Sequence, residues 1–486
     1  MESLKDKTAK GLFWGGLSSV VQQVVGLVFG IILGRLLMPD DFGMVAMISV
    51  FSLIATTLQN SGFKTALINR KDPVPNDYNA VFWFNIIMGL SIYVILFFSS
   101  PLIALYYNVP ELVWLCRYAF LGFVFASFGT AQAAYLIKNM RMKEVAQTGM
   151  TAVVVSSIVG AVMAWQGFAY WSLATQSNVF IGLNTLLLWW HSDWRPTVKR
   201  IDFSPVKEMF SFSVKILISF IVNNINVNVM NILLGRYHGK QQAGIYNQAY
   251  QWSFKCFSLV QSMINQIDQP VLVKLHDERE RQLFVLRKMV RFTAFVGMPL
   301  MLGLALVSRE FIVLALTEKW LPSAELLQLL CISGAVMPLC TLLSDAIVSK
   351  SRSDIFMWGN IALCMVLFVV LYSLRGNGVF TMAVAYVAIN ITWLFVWFFF
   401  VRRMTGYMLL SLLKDILPFA IAAFVVMVIT KFATDAIENL WLLLFSRIVL
   451  AILLYVAVML IARVRIFADC MEFFMARFLH RDKMKH

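Results

Sequence analysis

The chain is short of charged residues. Only 14% of its 486 residues are Asp, Glu, Lys or Arg, whereas 60% are hydrophobic. Soluble proteins carry about 25% charged residues, so this shortage excludes a soluble fold. A membrane-spanning helix needs about 20 apolar residues, and fourteen stretches of the sequence meet that requirement. We therefore predict an all-α, polytopic membrane protein with about 14 transmembrane helices.

The sequence also lacks the motifs of catalysis and metal binding. It contains no phosphate-binding P-loop, nucleophile elbow or zinc motif. The six cysteines include no C-x-x-C pair, and the five histidines are scattered. The loops between the predicted spans are too short for a catalytic domain such as a membrane glycosyltransferase would need. These absences predict a protein that is not an enzyme and that has no metal or cofactor.

Positive charge is distributed unevenly along the chain. The net charge is +15. Most Lys and Arg residues fall in the segments that lie on the same side of the membrane as the N-terminus, if every predicted span crosses once. Cytoplasmic loops of membrane proteins are rich in these residues, so we predict that both termini are cytoplasmic. Anionic lipid headgroups are attracted to Lys and Arg residues at the cytoplasmic surface of the membrane. The positive net charge therefore does not indicate nucleic acid as a partner.

The sequence repeats itself after 201 residues. Gly34–Arg35 at the end of the first predicted span corresponds to Gly235–Arg236 in the seventh, and Gly43 corresponds to Gly244. Six spans precede the second copy, so the two halves have the same orientation and are related by an axis along the membrane normal. The predicted organisation is a six-helix lobe (1–190), a cytoplasmic linker that could act as a hinge (191–208), a second six-helix lobe (209–401), an additional helix pair (402–463) and a basic amphipathic tail (464–486).

The seventh predicted span is unusually polar. It reads KILISFIVNNINVNVMNILLGR, and Asn224, Asn228 and Asn231 fall on one narrow helix face. Amides in hydrocarbon are costly, so such a face either packs against another helix or lines a pathway. The same two interpretations apply to the first span, in which Gln22 and Gln23 correspond to Asn223 and Asn224 after the 201-residue offset.

The eighth predicted span carries a second polar face. Lys255 lies near the middle of this span, where inserting a lysine costs about 2.5–3.5 kcal/mol on translocon scales. We predict a function for this lysine, and a purely structural, hydrogen-bonded lysine is the alternative. The face consists of residues at i, i+4, i+7, i+11 and i+14: Gln251, Lys255, Ser258, Ser262 and Asn265.

Together these faces predict the lining of a central pathway. Lys64, at the end of the second span, is a further cation, although its side chain could simply extend to the membrane interface. Asp268 and Asp345 are available for coupling to a proton or sodium ion, but both lie near span ends, and coupling to the membrane potential is equally compatible with the sequence. The candidate lumen residues are Gln22, Gln23, Lys64, Asn223, Asn224, Asn228, Asn231, Gln251, Lys255, Ser258 and Asn265.

A family resemblance adds to this interpretation. The first span ends in GRLLMPDDFGMVAM, from Gly34 to Met47, and the second ends in Asn60, Ser61 and Gly62. With two six-span halves and an extra pair, the chain resembles the polysaccharide exporters, which are lipid-linked oligosaccharide flippases of the multidrug/oligosaccharidyl-lipid/polysaccharide superfamily. It is most similar to the colanic acid and teichuronic acid exporter branch.

The resemblance implies a V-shaped bundle in the bacterial cytoplasmic (inner) membrane. By alternating access it would move an undecaprenyl-pyrophosphate-linked oligosaccharide from the cytoplasmic to the outer leaflet. Lys255 and Lys64 would attract the pyrophosphate, and the amides would match sugar hydroxyls. Polysaccharide polymerases and glycosyltransferases are implied partners, and we expect a monomer because each chain contains its own pathway.

Three alternatives remain open at this stage. A multidrug extruder of the same superfamily usually carries cationic cargo and buried carboxylates, whereas spans one to six contain no acidic residue at membrane depth. A peptidoglycan-precursor flippase would need a similar lumen. A membrane scaffold of polysaccharide assembly would not transport at all.

Overall fold

A computed structural model describes the helices of this chain. The described residues are 4–60, 67–68, 70, 73–198, 203–265, 271–272, 278–350, 352–464 and 466–468, with side chains described except at 4–9, 12, 58–60, 205–220 and 265. Over these ranges the chain is helical and contains no β-strand, which confirms the predicted all-α class.

Fifteen α-helices follow one another over the described ranges. They are α1 (Leu4–Leu36), α2 (Pro39–Asn60), α3 (Pro75–Tyr107), α4 (Leu112–Ala119), α5 (Leu121–Lys138), α6 (Met142–Trp165), α7 (Tyr170–His191), α8 (Ser204–Tyr237), α9 (Gly239–Asn265), α10 (Arg279–Leu316), α11 (Leu321–Ser349), α12 (Ser353–Ser373), α13 (Val379–Thr405), α14 (Leu409–Thr434) and α15 (Leu440–Ile461).

Each of the fourteen predicted spans coincides with a helix, although the fourth is divided into α4 and α5 at Phe120. Among the described residues, eleven helical segments are long and apolar enough to cross a membrane. The other three predicted spans are α7, α8 and α9: the side chains of α8 are described only at 204 and over 221–237, and α7 and α9 carry many amide and hydroxyl side chains. Membrane crossing by these three helices therefore remains a prediction.

Proline, glycine and aspartate fix several helix ends. Pro39 and Pro75 occupy the first positions of α2 and α3, where a missing N–H is tolerated. The Asp77 carboxylate accepts a hydrogen bond from the Val74 N–H at 3.0 Å and so caps α3. Gly406, with φ +78°, ends α13 in the left-handed conformation that glycine adopts without strain. The chain can therefore turn directly from α13 into α14.

By its own packing, the chain divides into two compact units, residues 1–247 and 248–486. The first unit contains α1–α8 and the beginning of α9, and the second contains the rest of α9 and α10–α15. In the first unit α6 packs against α1 and α7, α3 against α5, and α2 against α8; in the second, α10 contacts α11, α14 and α15. The lobe boundaries predicted from the sequence remain predictions.

The 201-residue repeat has a direct counterpart in the first unit. A Cβ atom added at Gly43 would lie 1.8 Å from the Lys240 carbonyl oxygen, and one added at Gly244 would lie 1.9 Å from that of Pro39. Lys240 and Gly244 follow Pro39 and Gly43 by 201 residues, so the two contacts are equivalent. The first turns of α2 and α9 thus meet backbone to backbone, which only glycine permits at these positions.

We expect Gly43→Ala and Gly244→Ala to destabilise the protein, because each new methyl group would overlap a carbonyl oxygen. Overpacking of this kind costs typically about 1–3 kcal/mol. Gly16→Ala in α1 is the matched control, since a Cβ atom there would meet nothing within 4 Å. The measurement is the midpoint of thermal unfolding in detergent. Equal midpoints for the Gly43 variant and the control would contradict the close contact.

The first part of the predicted linker is attached to the first unit. The Trp194 ring lies 5.9 Å from the rings of Tyr78 and Phe82. The Thr197 N–H donates to Asn79 Oδ1 at 2.9 Å, and Trp83 Nε1–H donates to the Thr197 carbonyl at 2.9 Å. Residues 192–198 are therefore fastened to the start of α3, and α8 already begins within the predicted linker.

Candidate functional site

In the first unit, the asparagine face of α8 lies mainly against α2. Asn224 Nδ2 donates a hydrogen bond to Thr57 Oγ1 at 2.7 Å, and Ser49 Oγ donates to Asn228 Oδ1 at 3.1 Å. Asn231 Nδ2 donates to the same Asn228 oxygen at 3.4 Å. Asn228 and Asn231 are buried. Asn224 and Asn228, two of the predicted lumen asparagines, therefore hold α8 against α2.

The other predicted amides of the first unit differ in exposure. Asn223 and Gln23 are exposed, whereas Gln22 is half-buried. Gln22 Nε2 donates to Ser18 Oγ at 2.9 Å, and a Cβ atom added at Gly149 of α6 would lie 3.2 Å from the same nitrogen. Of Gln22 and Gln23, only Gln23 has an exposed side chain.

In the second unit, the polar stripe of α9 forms an exposed helix face. Gln251 and Ser262 are exposed, and Lys255 and Ser258 are half-buried. The opposite side of the same helix is buried and carries Phe257, Val260 and Ile264. The predicted periodicity therefore separates an accessible polar side from a packed apolar side.

Lys255 is positioned by an aromatic ring. Its Nζ lies 4.2 Å from the centroid of the Trp252 ring, which is a favourable cation–π distance. Trp252 is itself buried and packs edge to face on Phe311 at 4.8 Å. This contact orients the ammonium group and leaves its positive charge uncompensated by the ring.

Several predicted site residues fall outside what the structure describes. These are Lys64 and Asp268, together with Ser61 and Gly62 of the family motif, and the side chain of Asn265. Asp345 is half-buried in α11. The roles of Asp345 and Asp268 in ion coupling, and of Lys64 as a cation of the lumen, remain predictions.

The structure also contains a charged cluster that the sequence interpretation did not include. Asp415 of α14 is fully buried and accepts hydrogen bonds from Arg287 Nε at 2.8 Å and Arg287 Nη2 at 3.1 Å. It also accepts from Arg291 Nε at 2.5 Å and from the Tyr407 hydroxyl at 2.7 Å. Burial raises the pKa of Tyr407 far above its ordinary value, and the hydrogen bond to Asp415 raises it further. Tyr407 therefore remains a neutral donor.

A second cluster surrounds Arg447 of α15. Its Nη1 donates to Glu310 Oε1 at 2.8 Å, its Nη2 to Asp435 Oδ1 at 3.1 Å, and its Nε to Thr434 Oγ1 at 3.2 Å. Arg447 and Glu310 are 7% and 5% exposed, whereas the Asp435 side chain is 48% exposed. The arginine thus joins α10, α14 and α15. Its position within an apolar span already implied that a partner was needed.

Neutralising one member of the buried pair should destabilise the second unit. Arg447→Gln leaves the Glu310 carboxylate buried without a cation, which costs about 3–5 kcal/mol. Glu310→Gln should cost less, because Arg447 keeps its ion pair with Asp435. Asp435→Asn, at the exposed edge of the same cluster, should cost at most about 1 kcal/mol. The measurement is chemical denaturation in detergent micelles.

The double variant Glu310→Met with Arg447→Met tests the physical reason. It removes both charges at once, so we expect it to be more stable than Arg447→Met alone, in which the buried Glu310 carboxylate keeps its charge. Destabilisation equal to the sum of those of Glu310→Met and Arg447→Met, each made alone, would show that the two residues act independently.

Comparison with known proteins identifies relatives over most of the chain. The family model described as "Polysaccharide biosynthesis protein" matches residues 32–325. The teichuronic acid biosynthesis protein TuaB of Bacillus subtilis is 27% identical over 396 residues, which cover 80% of this chain and 81% of that protein. The lipopolysaccharide biosynthesis protein WzxC of Escherichia coli is 26% identical over 359 residues, covering 73% and 72%.

A solved structure shows the same fold. The lipid II flippase MurJ in its inward closed conformation matches with a TM-score of 0.75, at 13% sequence identity, over 95% of this chain and 100% of that one. The likeness establishes an all-helical fold shared with that structure, in agreement with the predicted class.

Proposed function

Because the chain belongs to the polysaccharide biosynthesis protein family, we propose that it flips a lipid-linked oligosaccharide across a membrane. Relatives named for teichuronic acid and lipopolysaccharide biosynthesis support this proposal, as does a lipid II flippase of similar fold. Within this chain, the observation that carries the proposal is the exposed polar face of α9 with Lys255 at its centre. A cationic, amide-bearing surface suits a phosphate joined to a sugar.

The proposed cargo is an undecaprenyl-pyrophosphate-linked repeat unit of a surface polysaccharide. Its pyrophosphate is at least doubly negative, and a lysine ammonium is a compact point charge that attracts phosphate oxygens. The Lys255 ammonium group lies 4.2 Å from the centroid of the Trp252 ring, and this contact fixes its orientation. Gln251 and Ser258 lie beside it on the same face and can both donate to and accept from sugar hydroxyls.

The packing of the first unit narrows the set of sugar-binding amides. Asn228 accepts hydrogen bonds from Ser49 of α2 and from Asn231 of its own helix, and both asparagines are buried, so neither amide is accessible to a sugar. Asn223 and Gln23 are exposed and are the amides of that unit that we assign to substrate. Neither side chain demands one particular sugar, because an amide matches many hydroxyl arrangements.

The charged residues of the chain argue against the three alternative functions to different degrees. A multidrug extruder would need an acidic site for a cation, but Asp77, the buried carboxylate of α3, forms an ion pair with Arg70 at 3.2 Å. A peptidoglycan-precursor flippase carries the same lipid pyrophosphate, so only the sugar distinguishes it from our proposal. A scaffold would have no use for the half-buried Lys255 on the polar face of α9.

We further propose the cellular setting. The chain would lie in the bacterial cytoplasmic membrane with both termini cytoplasmic, act as a monomer without catalysis, and work beside polysaccharide polymerases and glycosyltransferases. The uneven distribution of Lys and Arg supports the orientation.

Charge reversal at Lys255 should stop translocation. We expect Lys255→Glu to lower the initial rate at least about tenfold, because a carboxylate would repel the pyrophosphate at close range. The measurement follows a fluorescent polyprenyl-pyrophosphate oligosaccharide between the leaflets of proteoliposomes that contain the purified protein.

The matched control is Lys431→Glu, which makes the same charge change at an exposed lysine of α14. It should flip lipid at the unchanged rate. Normal flipping by the Lys255 variant would remove Lys255 from the site, and uptake of a cationic dye without lipid movement would favour the multidrug extruder. Equal rates for lipid II and the oligosaccharide carrier would favour the peptidoglycan-precursor flippase.

Ion coupling remains a proposal that gradients can test. If Asp345 binds the coupling ion, Asp345→Asn should abolish the acceleration caused by a proton or sodium gradient and retain gradient-independent flipping. A potassium diffusion potential applied to the same vesicles measures the alternative, in which the membrane potential acts on the charge of the substrate. Retained acceleration in the Asn variant would exclude Asp345.

A further inference from the structure

The cluster around Asp415 contains more positive than negative charge. One carboxylate faces two guanidinium groups, from Arg287 and Arg291 on successive turns of α10. The carboxylate accepts four hydrogen bonds, counting that of Tyr407, which uses the four lone-pair positions that a carboxylate offers. Asp415 is therefore saturated, and the cluster retains a net charge of about +1.

Each arginine binds Asp415 through one edge of its guanidinium group. Arg287 is held through Nε and Nη2, and Arg291 through Nε alone. Among the described residues, the two Nη groups of Arg291 form no hydrogen bond, and the Arg287 and Arg291 side chains are 33% and 44% exposed. The free N–H groups belong to guanidinium planes that a buried carboxylate already fixes, so binding a ligand costs little further ordering.

The sequence places this cluster at a membrane interface. Arg291 is followed by the apolar run 292–307 of α10, and Asp415 by the apolar run 416–429 of α14. Lys414, next to Asp415, is exposed at the same level. Lipid phosphates occupy this depth of a bilayer, and basic pockets between transmembrane helices bind anionic headgroups.

We propose that Arg287 and Arg291, held by Asp415, bind the phosphate of an anionic membrane phospholipid. Guanidinium groups match phosphate oxygens with paired N–H donors, which a lysine cannot reproduce. The lipid would dock on the outside of the second unit where α10 meets α14. This site is distinct from the polar face of α9 and does not depend on the proposed transport function.

The test measures lipid binding to the purified full-length chain by native mass spectrometry. Phosphatidylglycerol is the probe, and phosphatidylcholine is the zwitterionic comparison. The wild-type protein should bind phosphatidylglycerol more tightly. Arg291→Gln should weaken that binding about tenfold, because two charge-assisted hydrogen bonds are lost.

Two further variants make the result specific. Arg403→Gln removes one positive charge from the last turn of α13, where the guanidinium lies 4.4 Å from the centroid of the Phe399 ring, and should change the affinity much less. Arg291→Lys retains the charge and can still pair with Asp415, so its affinity should lie between those of the wild type and the Gln variant. This Lys variant decides the test if Arg291→Gln unfolds.

Two results would overturn the proposal. One is an equal loss of affinity in Arg291→Gln and Arg403→Gln, which would mean that general surface charge attracts the lipid. The other is equal binding of phosphatidylglycerol and phosphatidylcholine by the wild-type protein. That result would mean that the cluster holds α10 and α14 together and does not bind lipid phosphate.

Discussion

A charged side chain in hydrocarbon must find its counter-charge within the protein, and this requirement organises the second unit. Helix α10 carries charge near both ends, at Arg287 and Arg291 and again at Glu310. Arg291 and Glu310 are nineteen residues apart, which is about 28 Å along an α-helix and close to the hydrocarbon thickness of about 30 Å. Asp415 and Arg447 meet these charges from α14 and α15. The additional helix pair is therefore attached at both edges of the apolar layer.

The first unit satisfies its polar groups differently. It uses amides and glycines rather than ion pairs: Asn228 accepts from α2, and Gly43 and Gly244 allow backbone contact between the first turns of α2 and α9. Amide hydrogen bonds between membrane helices are individually modest, and small residues add close packing. The first unit is thus held by many weak, short-range contacts, while the outer helices of the second are held by a few strong ones.

The sequence predicted the helices and the repeat well because both depend on local patterns. Hydrophobic length located a helix at each of the fourteen predicted spans, and the glycines that share the 201-residue register, Gly43 and Gly244, form equivalent contacts. The polar stripe of α8 was harder to interpret, since periodicity shows that residues share a face and not what that face touches. Only the structure shows that Asn224 of this stripe donates to Thr57 of α2 and that Asn228 and Asn231 are buried.

The charged clusters were missed for a related reason. Arg447 was visible as a charge within a span, but its partner Glu310 lies 137 residues earlier, and no local pattern connects them. Asp415 was less visible still, because a single acid beside Lys414 near a span end resembles an ordinary interfacial residue. Only tertiary contact shows that its carboxylate is fully buried and shared by two arginines.

Saturation of hydrogen-bonding groups separates the structural charges of this chain from those available to a ligand. Arg447 donates through all three guanidinium nitrogens to groups of the protein, and it is nearly inaccessible, so it has nothing left to offer. Lys255 lies on an exposed face, and its ring contact with Trp252 leaves the charge in place. Arg291 stands between these extremes, because one edge of its guanidinium is fixed and the other is open. Two cations of equal charge can therefore have opposite roles, according to how many of their donors the protein itself has used.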